Sequence, residues 1–180
     1  LHKTGNFELA ESNLLKAQEI ANDNKYLQGL SDIYKALQVI YSDKGQYNKA
    51  LMYIEKSLKI QVQLNNNLFE AMIRIDYANL LNHIGKPNKS IEQNKKAISL
   101  LETMDEDRLI GISNAVLFNT HYTLIEYADS IKCGIKALRI FRKLDMKNFE
   151  GKILAIIGEA YCRIGNYSKM QEYIKDAEPI

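Results

Sequence analysis

Side chains able to ligate a metal or attack a substrate are few in this sequence of 180 residues. The three histidines, His2, His83 and His121, and the two cysteines, Cys133 and Cys162, stand far apart along the chain. They supply neither the His-Glu-x-x-His pair of a zinc hydrolase nor the paired cysteines of a structural zinc site. A glycine-rich phosphate loop and a Gly-x-Ser-x-Gly nucleophile elbow are also absent. Catalytic, metal and cofactor functions are therefore not expected. Both thiols read as small hydrophobes, buried or half-buried, and His121 as a packed histidine with its hydrogen bond satisfied.

Recognition chemistry is better represented. Asn79 and Asn119 lie forty residues apart, and an amide that both donates and accepts suits the backbone of an extended peptide. The plainer alternative is that each faces water or bonds a neighbouring helix. Lys132, Lys136, Arg139, Arg142 and Lys143 fall mostly at three- and four-residue steps, which would gather charge on one side of a helix. Yet 24 basic and 22 acidic side chains leave a net charge of only +2, too little to draw the chain to phosphate backbones or acidic membranes. A nucleic-acid partner is not favoured. No apolar run approaches the roughly 18 residues of a membrane span.

The elements that carry these residues repeat. Written in rows of forty, the sequence aligns Gly5-Asn6-Phe7, Gly45-Gln46-Tyr47, Gly85-Lys86-Pro87, Ile125-Glu126-Tyr127 and Gly165-Asn166-Tyr167. Ten residues beyond the aromatic position stand Ala17, Ser57, Ala97, Ala137 and Ala177, and three further on Ile20, Ile60, Leu100, Ile140 and Ile180. Upstream, Ser31, Ala71, Gly111 and Gly151 share one column, and Leu37, Tyr77, Leu117 and Ile157 another. Within a row, Ile33, Leu37, Ile40 and Tyr41 follow a helical period. Each row therefore reads as helix, tight turn, helix. The glycines are expected at helix ends in the left-handed region, with Asn48, Asn88 and Ser168 capping the next helix. The second connection, through Asn65-Asn66-Asn67, Met104 to Asp107 and Leu144 to Lys147, is expected to be slightly longer. Small residues such as Ala97 belong where helices cross closely, with large apolar neighbours filling the flanking grooves.

Gly-x-aromatic, a small residue three positions on (Ala10, Ala50, Ser90, Ser130) and another seven after that (Ala17 to Ala177) resemble the tetratricopeptide signature over the whole chain. Leu37 and Tyr41, with Ile157-Gly158 and Tyr161, fit its Leu-Gly-x-x-Tyr portion. Gln38 and Phe118 replace its small residue, and Leu81 and His121 its tyrosine. The usual period is about 34 residues, so a period of forty implies longer helices, a variant similar to repeats of bacterial regulators and sensor proteins.

The resemblance implies an all-α, right-handed superhelical solenoid of antiparallel helix pairs, with about nine helices. As one solenoid over 1–180, the chain divides into a lone second helix at 6–23 and repeats near 28–67, 68–107, 108–147 and 148–180. Pro179 would stop the last helix, and the array is expected to belong to a longer protein. In this family the first helix of each pair lines the concave face. That maps the lining onto Asp32, Lys35, Val39, Ser42 and Asp43, then Met72, Ile75, Asn79, Asn82 and His83. The third row gives Ile112, Ala115, Asn119, Tyr122 and Thr123, and the fourth Lys152, Ala155, Glu159, Cys162 and Arg163. Partner-binding residues are expected among Lys35, Asn79, Asn82, His83, Asn119, Tyr122, Lys152, Glu159 and Arg163. The basic clamp that seizes terminal carboxylates in one subgroup is incomplete here, although Lys35, Arg74, Lys152 and Arg163 could favour an acidic ligand.

The expected function is a scaffold that binds a protein or peptide, as the sensing part of a bacterial signalling or transcriptional regulator. The alternative is a structural or self-associating array, possible as a homo-oligomer. Neither cofactor nor metal nor membrane contact is expected, and the cytoplasm is the default location, with a periplasmic sensor segment the other option.

Overall fold

Apolar side chains at three- and four-residue steps bury one face of most segments. On α2 (Leu27–Asp43), Leu30, Leu37, Ile40 and Tyr41 are buried. Their partners on α3 (Tyr47–Gln63) are Ala50, Tyr53, Ile54 and Ile60. The same arrangement continues through α4 (Asn67–His83), α5 (Pro87–Leu101), α6 (Asp107–Thr123), α7 (Tyr127–Lys143), α8 (Lys147–Arg163) and α9 (Tyr167–Ala177), preceded by α1 (Thr4–Asp23). This computed structural model describes residues 4–177. Within them the chain is an all-α solenoid of nine helices. His2, Pro179 and Ile180 lie outside the described residues.

The turns explain the period. Left-handed residues stand at 25, 45, 65, 85, 105, 125, 145 and 165, one every twenty. At most of them the helix closes with a Schellman pattern: the Gly45 N–H donates to the Ser42 carbonyl at 2.9 Å and the Gln46 N–H to the Tyr41 carbonyl at 2.8 Å. Gly45, Gly85 and Gly165 fill the turn within a pair, whereas Lys25, Asn65, Asp105 and Asp145 fill the turn between pairs. Ile125 stands in for the glycine of its row at φ 64°.

Several expectations are corrected here. Gly5 lies inside α1 rather than at a helix end. Asn48, Asn88 and Ser168 sit within the first turns of their helices, so they cannot cap them. The side chains that do cap stand immediately before their helices: Asn66 Oδ1 accepts from the Phe69 N–H at 3.4 Å, and Asn166 Oδ1 from the Lys169 N–H at 3.1 Å. The two kinds of turn are equally long, because each is set by the same left-handed closure. Only residues 102–106, between α5 and α6, form a longer link.

Pairs α2–α3, α4–α5, α6–α7 and α8–α9 share the most extensive contacts, and each pair then packs on the next. Small residues occupy the crossings: Ala50, Ala71, Ala97 and Ala137 are fully buried. Phe118, in the column of Ala78, is accommodated by Gly134, where an added Cβ would lie 2.8 Å from Phe118 Cδ2 and 2.8 Å from Ile157 Cγ1. Buried polar side chains stitch neighbouring helices together. Ser31 and Ser57 hydroxyls meet at 2.9 Å with Gln61 Nε2 donating to Ser31 Oγ at 2.8 Å. Ser113 Oγ donates to Asn94 Oδ1 at 2.8 Å.

Candidate functional site

Along α2, α4, α6 and α8 the exposed column is Val39, Asn79, Asn119 and Glu159. These first helices approach one another directly, since α4 and α6 touch, and polar rungs cross from each to the next. Lys35 Nζ lies 2.9 Å from Asp76 Oδ2, joining α2 to α4. Thr123 Oγ1, whose hydrogen goes to the Asn119 carbonyl at 2.6 Å, lies 3.5 Å from Asn82 Oδ1, a looser polar contact from α6 to α4. Between α6 and α8, the Tyr122 hydroxyl donates to Glu159 Oε1 at 2.7 Å and accepts from Arg163 Nε at 3.0 Å.

This last rung is a closed polar network. Arg163 also reaches Glu159 Oε1 at 3.4 Å, and the Tyr122 ring is wedged between Phe118, stacked at 6.0 Å, and Tyr127, edge-on at 5.3 Å. Desolvation, and then the Glu159 carboxylate, push the Tyr122 hydroxyl above its ordinary pKa. Conversely, the Tyr122 hydrogen bond holds the Glu159 carboxyl below the usual range. Three residues of the expected lining thus satisfy one another.

At the other end the surface opens. A cleft of about 490 Å³ lies between α2 and α4, lined by Lys35, Gln38, Val39, Ser42, Asp43, Tyr47, Asp76, Asn79, Leu80 and His83. Gln38 Nε2 donates to Ser42 Oγ at 3.1 Å on its wall. The volume falls in the range of ligand-binding clefts. The geometry therefore brings Lys35, Asn79 and His83 together in one concavity and leaves Asn119 and Tyr122 on α6 and Lys152, Glu159 and Arg163 on α8, outside it. Asn82 is half-buried in its contact with Thr123.

Several sequence expectations are altered by burial and pairing. Ile75 faces the core, not the groove. Of the basic residues that could favour an acidic ligand, Lys35 is paired with Asp76, Arg163 with Glu159, and Arg74 with Glu70 at 2.8 Å while Nη1 reaches Gln93 on α5 at 2.6 Å. The basic stripe on α7 is likewise divided: Lys132 pairs with Asp129, Arg142 with Glu150 and Asp176, and Lys143 with Asp107. Cys133 is half-buried, and burial pushes its thiol up, but Cys162 is exposed. His121 Nδ1 meets Glu126 Oε2 at 2.6 Å, a satisfied hydrogen bond for a largely covered ring. Asp76 and Tyr47, which complete the cleft, were not among the expected lining. Tyr47 comes from the start of a second helix, and only the hairpin turn folds it back over the first.

The model of the tetratricopeptide repeat matches residues 39–61, spanning the end of α2 and most of α3. Comparison with curated proteins by sequence returned no match. Among solved structures, BtubC (BKLC) from P. vanneervenii superposes with a TM-score of 0.89 at 20% identity, over 99% of this chain and 74% of that one. The apo form of RapI matches with a TM-score of 0.81 at 19% identity, over 91% of this chain and 61% of RapI. A Rap protein complexed with Competence and Sporulation Factor gives a TM-score of 0.77 at 17% identity, over 98% of this chain and 49% of that one. At these identities the likeness is one of fold. No helix among the described residues is long and apolar enough to cross a membrane.

Proposed function

We propose that this chain, a tetratricopeptide-repeat protein, is an interaction scaffold whose cleft between α2 and α4 holds an extended segment of a peptide or protein partner. One observation carries the reading. Beside the Lys35–Asp76 rung, α2 and α4 enclose about 490 Å³, with the Asn79 amide exposed on the wall and unpaired among the described residues. An amide there can both donate to and accept from a peptide backbone. Asn119 continues the same column on α6 and extends the track. The fold shared with a Rap protein seen in complex with Competence and Sporulation Factor supports a sensing role within a bacterial regulator.

Titration calorimetry against a peptide library tests this. Saturable binding that weakens in Asn79→Ala, and further with Asn119→Ala, is the expected result, whereas binding unchanged in the double variant removes both residues from the site.

A self-associating array is the second reading, favoured by a different surface. Ala17, Ile20, Ala21, Tyr26 and Ile33 line an almost wholly apolar groove at the α1–α2 end, and Ile20 is 64% exposed. Sedimentation velocity showing a concentration-dependent dimer that Ile20→Glu abolishes would favour this reading.

A further inference from the structure

The cleft also has a sign. Its charged lining is Lys35, Asp43 and Asp76, and Lys35 is spent on Asp76 at 2.9 Å. Asp43 is left exposed and without an ion pair among the described residues. Lys44, its chain neighbour, is directed elsewhere, to Glu11 on α1. Lys49, on the following helix, lies over the Tyr41 ring at 4.8 Å.

Two further features have the same polarity. Asp43 is the last residue of α2 and His83 the last of α4, so the cleft opens at two helix C-termini, whose carbonyl ends carry partial negative charge. Tyr47, 42% exposed, presents an aromatic ring on the same lining, a surface that attracts cations through its quadrupole.

We propose that this end of the cleft is a subsite for a cation carried by the bound peptide, either a Lys or Arg side chain or a free N-terminal ammonium. Asp43 takes the charge, and Tyr47 covers the alkyl stem or guanidinium plane. The assignment rests on the peptide-binding reading above and gives it a selectivity: neutral and acidic peptides are bound less well.

The test uses pentapeptide pools labelled with fluorescein at the C-terminus, with Arg, citrulline or Glu fixed at one position and the N-terminus either free or acetylated. Citrulline keeps the shape of arginine without its charge. Fluorescence anisotropy should show a cationic pool bound about tenfold more tightly than its neutral counterpart, as expected for one ion pair with an aromatic contact. Preference for Arg over citrulline identifies a side chain, and preference for free over acetylated pools identifies the terminus. Asp43→Asn should erase that preference and Tyr47→Leu should reduce it, with helix content unchanged by circular dichroism. Asn79→Ala should weaken all pools alike. Equal binding of charged and neutral pools, still sensitive to Asn79→Ala, overturns the cation subsite and leaves the peptide reading standing. Binding of no pool overturns both.

Discussion

Ile125 holds φ at 64° in a turn whose counterparts at 45, 85 and 165 are glycines. A β-branched side chain there costs roughly 1–2 kcal/mol, and this one is 71% exposed, so it gains little from burial in return. Ile125→Gly should therefore raise stability by about 1 kcal/mol after allowing for the greater freedom of glycine in the unfolded chain. Urea denaturation would read this as a higher midpoint. Gly134 poses the opposite case. A Cβ there would meet Phe118 and Ile157 at 2.8 Å, so Gly134→Ala should cost about 1–3 kcal/mol. Combining it with Phe118→Leu should lose less than the sum of the two single changes, and a double-mutant cycle in the same denaturation assay would measure that coupling. The sequence marked Phe118 as a departure from its small column, but its compensation by Gly134 needed the helix crossing to be seen.

At the scale of the helix, the turn chemistry was only partly legible. Glycine at 45, 85 and 165 announces a left-handed closure, whereas Lys25, Asn65, Asp105 and Asp145 adopt the same conformation without that signal. Asparagine and aspartate tolerate the region better than most residues, which is why polar clusters could be read as turns but not assigned their geometry. Capping was misplaced by two residues for the same reason: the closure fixes where the next helix begins, and the cap residue is the one just before it. Asn166 caps α9, the helix with no buried residue of its own. Asn166→Ala should cost about 1 kcal/mol locally. Hydrogen exchange should quicken through the first turn of α9 and remain unchanged in α2–α5, since each pair in a solenoid leans mainly on its neighbours.

Across the whole molecule, carboxylates tie distant helices together, and their titration should appear in its stability. Glu11 on α1 accepts from Lys44 and Tyr41, and the Lys44 ammonium, followed by the Tyr41 hydroxyl, holds its carboxyl below the ordinary value of 4.5. Glu150, buried on α8, is held low chiefly by Arg142 at 2.8 Å and then by Lys147 at 3.2 Å. Groups with depressed folded pKa values stabilise fully above 4.5, and that stabilisation is lost as pH falls through the depressed values. Unfolding free energy should therefore be flat from pH 7 to about 5 and decline below it, with a shallower decline in the Glu11→Gln variant. The all-α class, the forty-residue period, the helix pairs and the small residues at their crossings were determined by the sequence alone, because helical burial imposes a fixed spacing on apolar side chains. It also placed Asn79, Asn119 and Tyr122 on the first helices. Which of those side chains face open space was decided by the tertiary structure. Tyr122, Glu159 and Arg163 consume one another's hydrogen-bonding capacity across α6 and α8, while Asp76 neutralises Lys35 and Tyr47 folds in from α3. Pairing between helices depends on distances of a few ångströms across the crossing, and a period along the chain does not encode them.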